Sequence, residues 1–319
     1  MTASINTIAY SPGTALDEEL ADLGYAAMCG WPDQRPVTSA LVRSRLRPSG
    51  NAQPTTVLLA RLGDGTLAAA AALRYAAGPG SSARLWGPIV APDCQKRGLG
   101  TALLQQATAL QPDGQTILLT AEIPEARKHG YEFFEKAGWQ PRSTAALLKA
   151  DLGSLPPLLD RDWVRVRRAE AADADADALS RLYQALHPDH GRQIAQDTYR
   201  RWSADERFVS DGLLIVDGPG GDLYGAALMY PLAHDDPAEP AEALLADVLI
   251  SPDIDRTEVA PPLIAAALTA GVRHHAVVAR AIVPDSDPAL RADLRSVGLA
   301  PAGQIRYFQA PAGPIRRGP

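Results

Sequence analysis

The chain has 319 residues, about twice a typical domain, with 46% apolar residues and a net charge of −6, so two globular domains are the starting expectation. The acidic balance argues against a nucleic-acid surface and leans towards a cationic or neutral partner. No run approaches the roughly twenty apolar residues of a membrane span, Met1 to Gly13 lacks a basic-then-apolar leader, and the two cysteines, Cys29 and Cys94, supply neither a disulfide framework nor metal-ligand spacing; the expectation is a cytoplasmic protein without a metal.

Taken in order, the chain opens with a short strand, Ile5 to Tyr10, and a helix with an acidic first turn, Asp17-Glu18-Glu19, whose Leu20, Leu23, Ala26 and Ala27 make one face. A second helix is expected from about Thr38 to Leu46, after a Gly30-Trp31-Pro32 turn. Two apolar runs, Thr55 to Leu62 and Thr66 to Tyr75, flank Gly63-Asp64-Gly65 and read as a hairpin. The small residues of Ala76 to Ser82 lead into an apolar strand that Ile89 and Val90 close and Pro92 stops; from Thr101, alanines and leucines recur at helical spacing. A strand at Thr116 to Thr120, a helix ending Phe133-Phe134-Glu135-Lys136-Ala137-Gly138-Trp139 and a strand at Ser143 to Lys149 complete the alternation, and Pro156-Pro157 marks a linker.

Between the fourth strand and its helix lies Gln95-Lys96-Arg97-Gly98-Leu99-Gly100. Such a turn aims successive N–H groups and the positive end of the following helix at a pyrophosphate, and its glycines permit close backbone approach. Val90-x-Pro92 followed by Gln95-x-x-Gly98-x-Gly100 resembles the acetyl-coenzyme A signature of the Gcn5-related N-acetyltransferases, the GNAT superfamily. Phe133-Phe134-Glu135-Lys136-Ala137-Gly138-Trp139 is similar to that family's aromatic-x-x-x-Gly-aromatic ending. The resemblance implies an α/β fold with a mixed, mostly antiparallel sheet flanked by helices, and acetyl-CoA as acetyl donor. It sets the pantetheine arm against the backbone of Ile89 and Val90, and the pyrophosphate on Gln95, Lys96, Arg97, Gly98, Leu99, Gly100 and Thr101. In this family the first two helices line the acceptor pocket, which makes Trp31 a candidate substrate contact, although a tryptophan packed under a loop is the commoner arrangement.

A shift of 160 residues lays Val90-Ala91-Pro92-Asp93 on Ile250-Ser251-Pro252-Asp253, Leu103-Leu104 on Leu263-Ile264, and Gly138-Trp139 on Gly298-Leu299. The hairpin recurs near that offset as Leu213 to Val216 and Leu223 to Tyr230. Two tandem GNAT-like domains follow: residues 1–151 binding acetyl-CoA and catalytic, 152–161 a linker, and 162–319 a degenerate domain without a CoA site. Opposite the glycine turn stands Asp255-Arg256-Thr257-Glu258-Val259-Ala260, in which both glycines are gone and two acids would repel a pyrophosphate.

Acetyl transfer to an amine needs a base for the amine proton and is helped by an acid at the leaving thiolate. In the family a tyrosine four residues before the glycine of the last motif is that acid; this chain has Phe134 there, and Tyr131, one helical turn earlier, is the substitute, though equally readable as a half-buried core tyrosine. Glu122, at the end of its strand, is the first choice of base and His129 the second. Cys94 invites a covalent acetyl-cysteine, which the family's direct transfer argues against. His187-x-x-His190 and His274-His275 lack further ligands and read as surface loops.

These readings imply an N-acetyltransferase acting on the primary amine of a small molecule, an antibiotic or other secondary metabolite, without nucleic-acid or membrane partners; a homodimer is left open. The arrangement resembles antibiotic-modifying and self-resistance acetyltransferases, including the bleomycin type, and departs from the mycothiol synthase type, a tandem that carries its activity in the second repeat. Two rivals stand beside it. One is a protein or peptide N-acetyltransferase, and the other a non-catalytic CoA-binding module, motivated by Phe134.

Overall fold

The computed structural model describes residues 3–28, 37–48, 53–75, 82–110, 118–154, 164–170, 173–188, 195–205, 207–232 and 241–311. Its contacts fall into two compact units, Met1–Thr144 with Ile305–Pro319, and Ala145–Gln304.

The first unit contains, in order, β1 (Ser4–Ala9), α1 (Ala15–Met28), α2 (Ser39–Leu46), β2 (Thr56–Arg61), β3 (Leu67–Tyr75), β4 (Ser82–Val90), α3 (Leu99–Ala109), β5 (Leu118–Pro124) and α4 (Lys128–Lys136). Strands β1 to β5 lie side by side in chain order, antiparallel except for the β4–β5 pair. Residues 305–309 then pair with β5, antiparallel, from Ile305↔Pro124 to Gln309↔Thr120. Both faces of this sheet are covered, so its strands read as nearly continuous apolar runs, and the period-two alternation only sorts side chains between two cores. Leu58, Ala69, Ala71, Leu85, Leu119 and Ala121 meet Leu103 and Leu104 of α3 and Phe134 of α4. Val57, Leu59, Ala70 and Ala72 meet Leu20 and Leu23 of α1 and Val42 and Leu46 of α2.

The second unit contains β7 (Val166–Arg168), α5 (Asp173–Leu186), α6 (Thr198–Ser203), β8 (Leu213–Asp217), β9 (Leu223–Leu232), β10 (Glu242–Ile250), α7 (Arg256–Arg273), β11 (Val278–Pro284) and α8 (Pro288–Ser296). The strand order is again sequential, and again only the fourth and fifth, β10 and β11, run parallel. Residues 145–151 complete this sheet, antiparallel on β11. The mixed, mostly antiparallel α/β architecture expected from the sequence is thus present in each unit.

The units differ from contiguous halves at their last strands. The strand β6 (Gln140–Asp151) crosses from one unit into the other at residue 144, and β12 (Ala300–Gln309) does so at residue 304. Each sheet therefore takes its sixth strand from the opposite half of the sequence. The pairing with 305–309 also carries β5 on to Pro124, beyond the Thr120 expected from its apolar run, so Glu122 lies within the strand rather than at its end.

Strand β10 has a bulge between Leu245 and Asp247. Burial there raises the Asp247 carboxyl to about 6, and the bond from the Val248 N–H offsets this only in part. The folded chain therefore holds this proton more tightly than the unfolded chain, so stability falls as pH rises from about 4 to about 6 and stays reduced above it. The loss is about 2 kcal/mol with an allowance for partial exposure. Urea unfolding of wild type and Asp247→Asn across that range should give curves that diverge, with the variant the more stable at neutral pH; parallel curves would refute the assignment.

Candidate active site

The turn after β4 is built to leave donors unsatisfied. Pro92 to Cys94 form a single 3₁₀ turn, Lys96 takes a left-handed conformation (φ 58°) and Gly98 another (φ 82°), at which point α3 begins. Its first intrahelical bond runs from the Ala102 N–H to the Gly98 carbonyl. The N–H groups of Leu99, Gly100 and Thr101 precede that bond, and no side chain caps them. Lys96, Arg97 and Thr101 are exposed beside them, while the Gln95 amide instead donates to the Val90 carbonyl (3.3 Å) and ties the turn to the strand end. A group with several anionic oxygens fits this site on the chemistry of its donors.

The corresponding helix start in the second unit is closed from within. The Asp255 carboxylate caps α7 by accepting from the Thr257 N–H (2.9 Å), and so occupies the place where an external anion would bind. Arg256 is held by Asp293 (2.5 Å).

Beside the open turn, β4 and β5 part company. Their parallel pairing ends at Leu85↔Ala121; β4 continues to Val90 along β3, and β5 continues to Pro124 along residues 305–309. The inner edges of the two strands diverge from that point. Gly87 lies on the β4 lip at φ 89°, where an added Cβ would approach the Ala70 carbonyl oxygen to 2.9 Å, so only glycine fits. The opposing register shifts between Ala70 and Ala72, a bulge that turns the β4 backbone next to the opening. Val90 and Ile89 lie beyond it, packed on opposite faces of the sheet.

A polar cluster occupies the α1–α2 face at the mouth of this opening. Glu122 pairs with Arg84 across the two lips. Arg74 stands directly opposite Arg84 on β3, and Tyr307 directly opposite Glu122. The Arg84 side chain is 45% exposed; partial desolvation and then the charge of Arg74 lower its guanidinium, with Arg45 of α2 adding a smaller push. Burial also raises the Tyr307 phenol, against the pull of Arg84. Arg74, Arg84 and Tyr307 are not among the candidates legible in the sequence. The first two were visible as arginines inside otherwise apolar strands, but nothing local connects Tyr307 to Glu122.

The remaining candidates scatter. Tyr131 lies on α4 with its ring 5.8 Å from that of Phe308 and the Arg306 guanidinium 4.3 Å above it; burial raises its phenol and Arg306 opposes the rise. Phe134 is buried, stacked on Phe308 and edge-on to Trp139. His129 is exposed at the start of α4. The Cys94 thiol is buried and raised by that burial and by Asp93, which keeps it from being a thiolate. His274 is not a loop residue but caps α7 and binds Asp211 (2.7 Å). Trp31 lies outside the described residues, as does His190. Among the described residues no group of three His, Cys, Asp or Glu could hold a metal, and no helix is long and apolar enough to cross a membrane.

Comparisons with known proteins bear on the family and the fold. Residues 24–139 match the family model described as acetyltransferase (GNAT) family. A mycothiol acetyltransferase of Acidothermus cellulolyticus is 30% identical over 153 residues, 47% of this chain and 44% of that protein, so the match spans less than half of the relative's length. Among solved structures, a tandem GNAT protein from the clavulanic acid biosynthesis pathway is similar with a TM-score of 0.74 at 18% identity, covering 98% of this chain and 99% of that one. A GCN5-related N-acetyltransferase from Sphaerobacter thermophilus follows with a TM-score of 0.70 at 16% identity, covering 96% and 95%. Likenesses at such identities speak for the fold.

Proposed function

We propose that this chain, whose residues 24–139 belong to the acetyltransferase (GNAT) family, is an acetyl-CoA-dependent N-acetyltransferase that acts on the primary amine of a small molecule, with one cofactor site, in the first unit. The observation that carries the reading is the uncapped start of α3, with exposed cations and a left-handed Gly98 beside it, set where β4 and β5 separate. The similarity to a mycothiol acetyltransferase supports a small-molecule acceptor. Antibiotics and other secondary metabolites are the first acceptors to screen.

Acetyl-CoA, when bound, supplies the acetyl thioester. The backbone of Ile89 and Val90 and the turn from Gln95 to Thr101 would hold it, with Lys96 and Arg97 placing positive charge near its phosphates. Glu122, which pairs with Arg84 in the free protein, takes the proton from the acceptor amine, directly or through a water. His129, exposed at the helix start, is the less favourable base. The Tyr131 phenol, kept protonated by burial, donates to the departing sulfur.

Release of free thiol from acetyl-CoA across an amine panel tests the reading. Release with at least one small amine is expected; tight cofactor binding with no release against any amine would favour a binding module instead, and release with peptides alone would favour a protein acetyltransferase. Calorimetry supplies a second check. Wild type should bind one acetyl-CoA per chain, and exchanging Asp255 and Glu258 for Asn and Gln should leave that number unchanged, because two charges do not restore two missing glycines. A wild-type stoichiometry of two would contradict the single site.

A further inference from the structure

We infer that the amine acetylated here carries an anionic group, a carboxylate or a phosphate, held by Arg74 and Arg84; this rests on the acetyltransferase reading above. The two arginines are direct cross-strand partners on β3 and β4, so their side chains leave the same face of the sheet within reach of each other. Like charges placed opposite one another destabilise a sheet. Here a third guanidinium, Arg45, is close enough to be felt at Arg84, whose side chain is 45% exposed and so open to a ligand. Arg45 and Arg74 keep other contacts as well; what matters is the sign of the field where these groups meet.

Glu122 supplies a carboxylate at Arg84, but it also sits on the β5 lip, where the acceptor amine would need it. A ligand anion bridging Arg74 and Arg84 would relieve the repulsion between them and free Glu122 to turn to the amine. Guanidinium suits that task, since its planar fork of donors matches the paired oxygens of carboxylate and phosphate. Position supports the assignment. Arg84 is one residue before the point where β4 and β5 separate, and Glu122 one residue after it on the partner strand. Two strand residues span about 7 Å, close to the amine-to-anion distance in an amino-sugar phosphate or in an extended ω-amino acid of five carbons. The net charge of −6 gives no hint of this local reversal of sign.

The test compares acceptors that differ in the anion: 5-aminopentanoate against 5-aminopentan-1-ol, and glucosamine 6-phosphate against glucosamine. Two readouts are taken, thiol release from acetyl-CoA and the melting temperature with each compound in the absence of turnover. The charged member of at least one pair should show a kcat/KM higher by roughly 10- to 100-fold and a larger rise in Tm; which pair responds distinguishes carboxylate from phosphate. Arg74→Gln should erase both differences, acting on KM rather than kcat, and Arg74→Lys should recover part of them. Neutral members equal to or better than charged ones in both readouts would overturn the inference, as would a preference untouched in Arg74→Gln. A Tm rise specific to the anionic compounds and lost in Arg74→Gln, without thiol release from any amine, would overturn the acetyltransferase reading and leave the anion site standing.

Discussion

Replacing Gly100 with valine is expected to weaken acetyl-CoA binding by about 1000-fold, roughly 4 kcal/mol, in a protein that still folds. The position has ordinary helical geometry, and an added Cβ would lie 3.4 Å from the Phe133 ring and 3.6 Å from Val90, a normal contact. Alanine should therefore fit the free protein without displacing anything, while the valine methyls press on a Phe133 ring that is only partly buried and can swing aside. What the branched side chain fills is space between the start of α3, the end of β4 and Phe133, next to the uncapped N–H groups. The measurement is calorimetric titration of Gly100→Ala and Gly100→Val alongside their melting temperatures. A valine variant with wild-type stability and wild-type affinity would remove the cofactor from this turn.

Tyr131→Phe is expected to lower kcat by roughly 100-fold with the KM for acetyl-CoA unchanged. The substitution keeps the ring that meets Phe308 and lies under Arg306, and removes only the hydroxyl. Because burial raises the phenol above its ordinary range, the alkaline limb of the kcat profile attributable to it should lie above that range and disappear in the variant. Unchanged turnover would return Tyr131 to a packing role and leave the thiolate to depart without a side-chain acid.

What could be read from the sequence was local or repeated. The turn from Gln95 to Gly100 was legible because its composition, its flanking strand and its helix lie within one short stretch, and the shifted second copy served as a control: the same skeleton with Asp255 in place of the open donors. The hairpins were legible from their apolar runs and glycine turns. The polar cluster was not, because Arg74, Arg84, Glu122 and Tyr307 come together through sheet register, which no spacing in the chain reveals. Phe134, the position at which the family pattern calls for an acid, proves to be core between Phe308 and Trp139, so its replacement is a packing choice there.

The exchange of last strands bears on how the molecule comes into being. A ribosome delivers β1 to α4 well before the strand that seals the open edge of β5, with Tyr307 and Phe308 on it, because the whole second unit lies between them in the chain. Until then the nascent first unit presents an unpaired edge and an incomplete core of aromatic residues, the kind of surface that invites wrong partners. The first unit is thus begun before the second and completed after it. Its assembly waits on a second unit whose own helix start is capped by Asp255 and which leads into the strand that the first unit lacks.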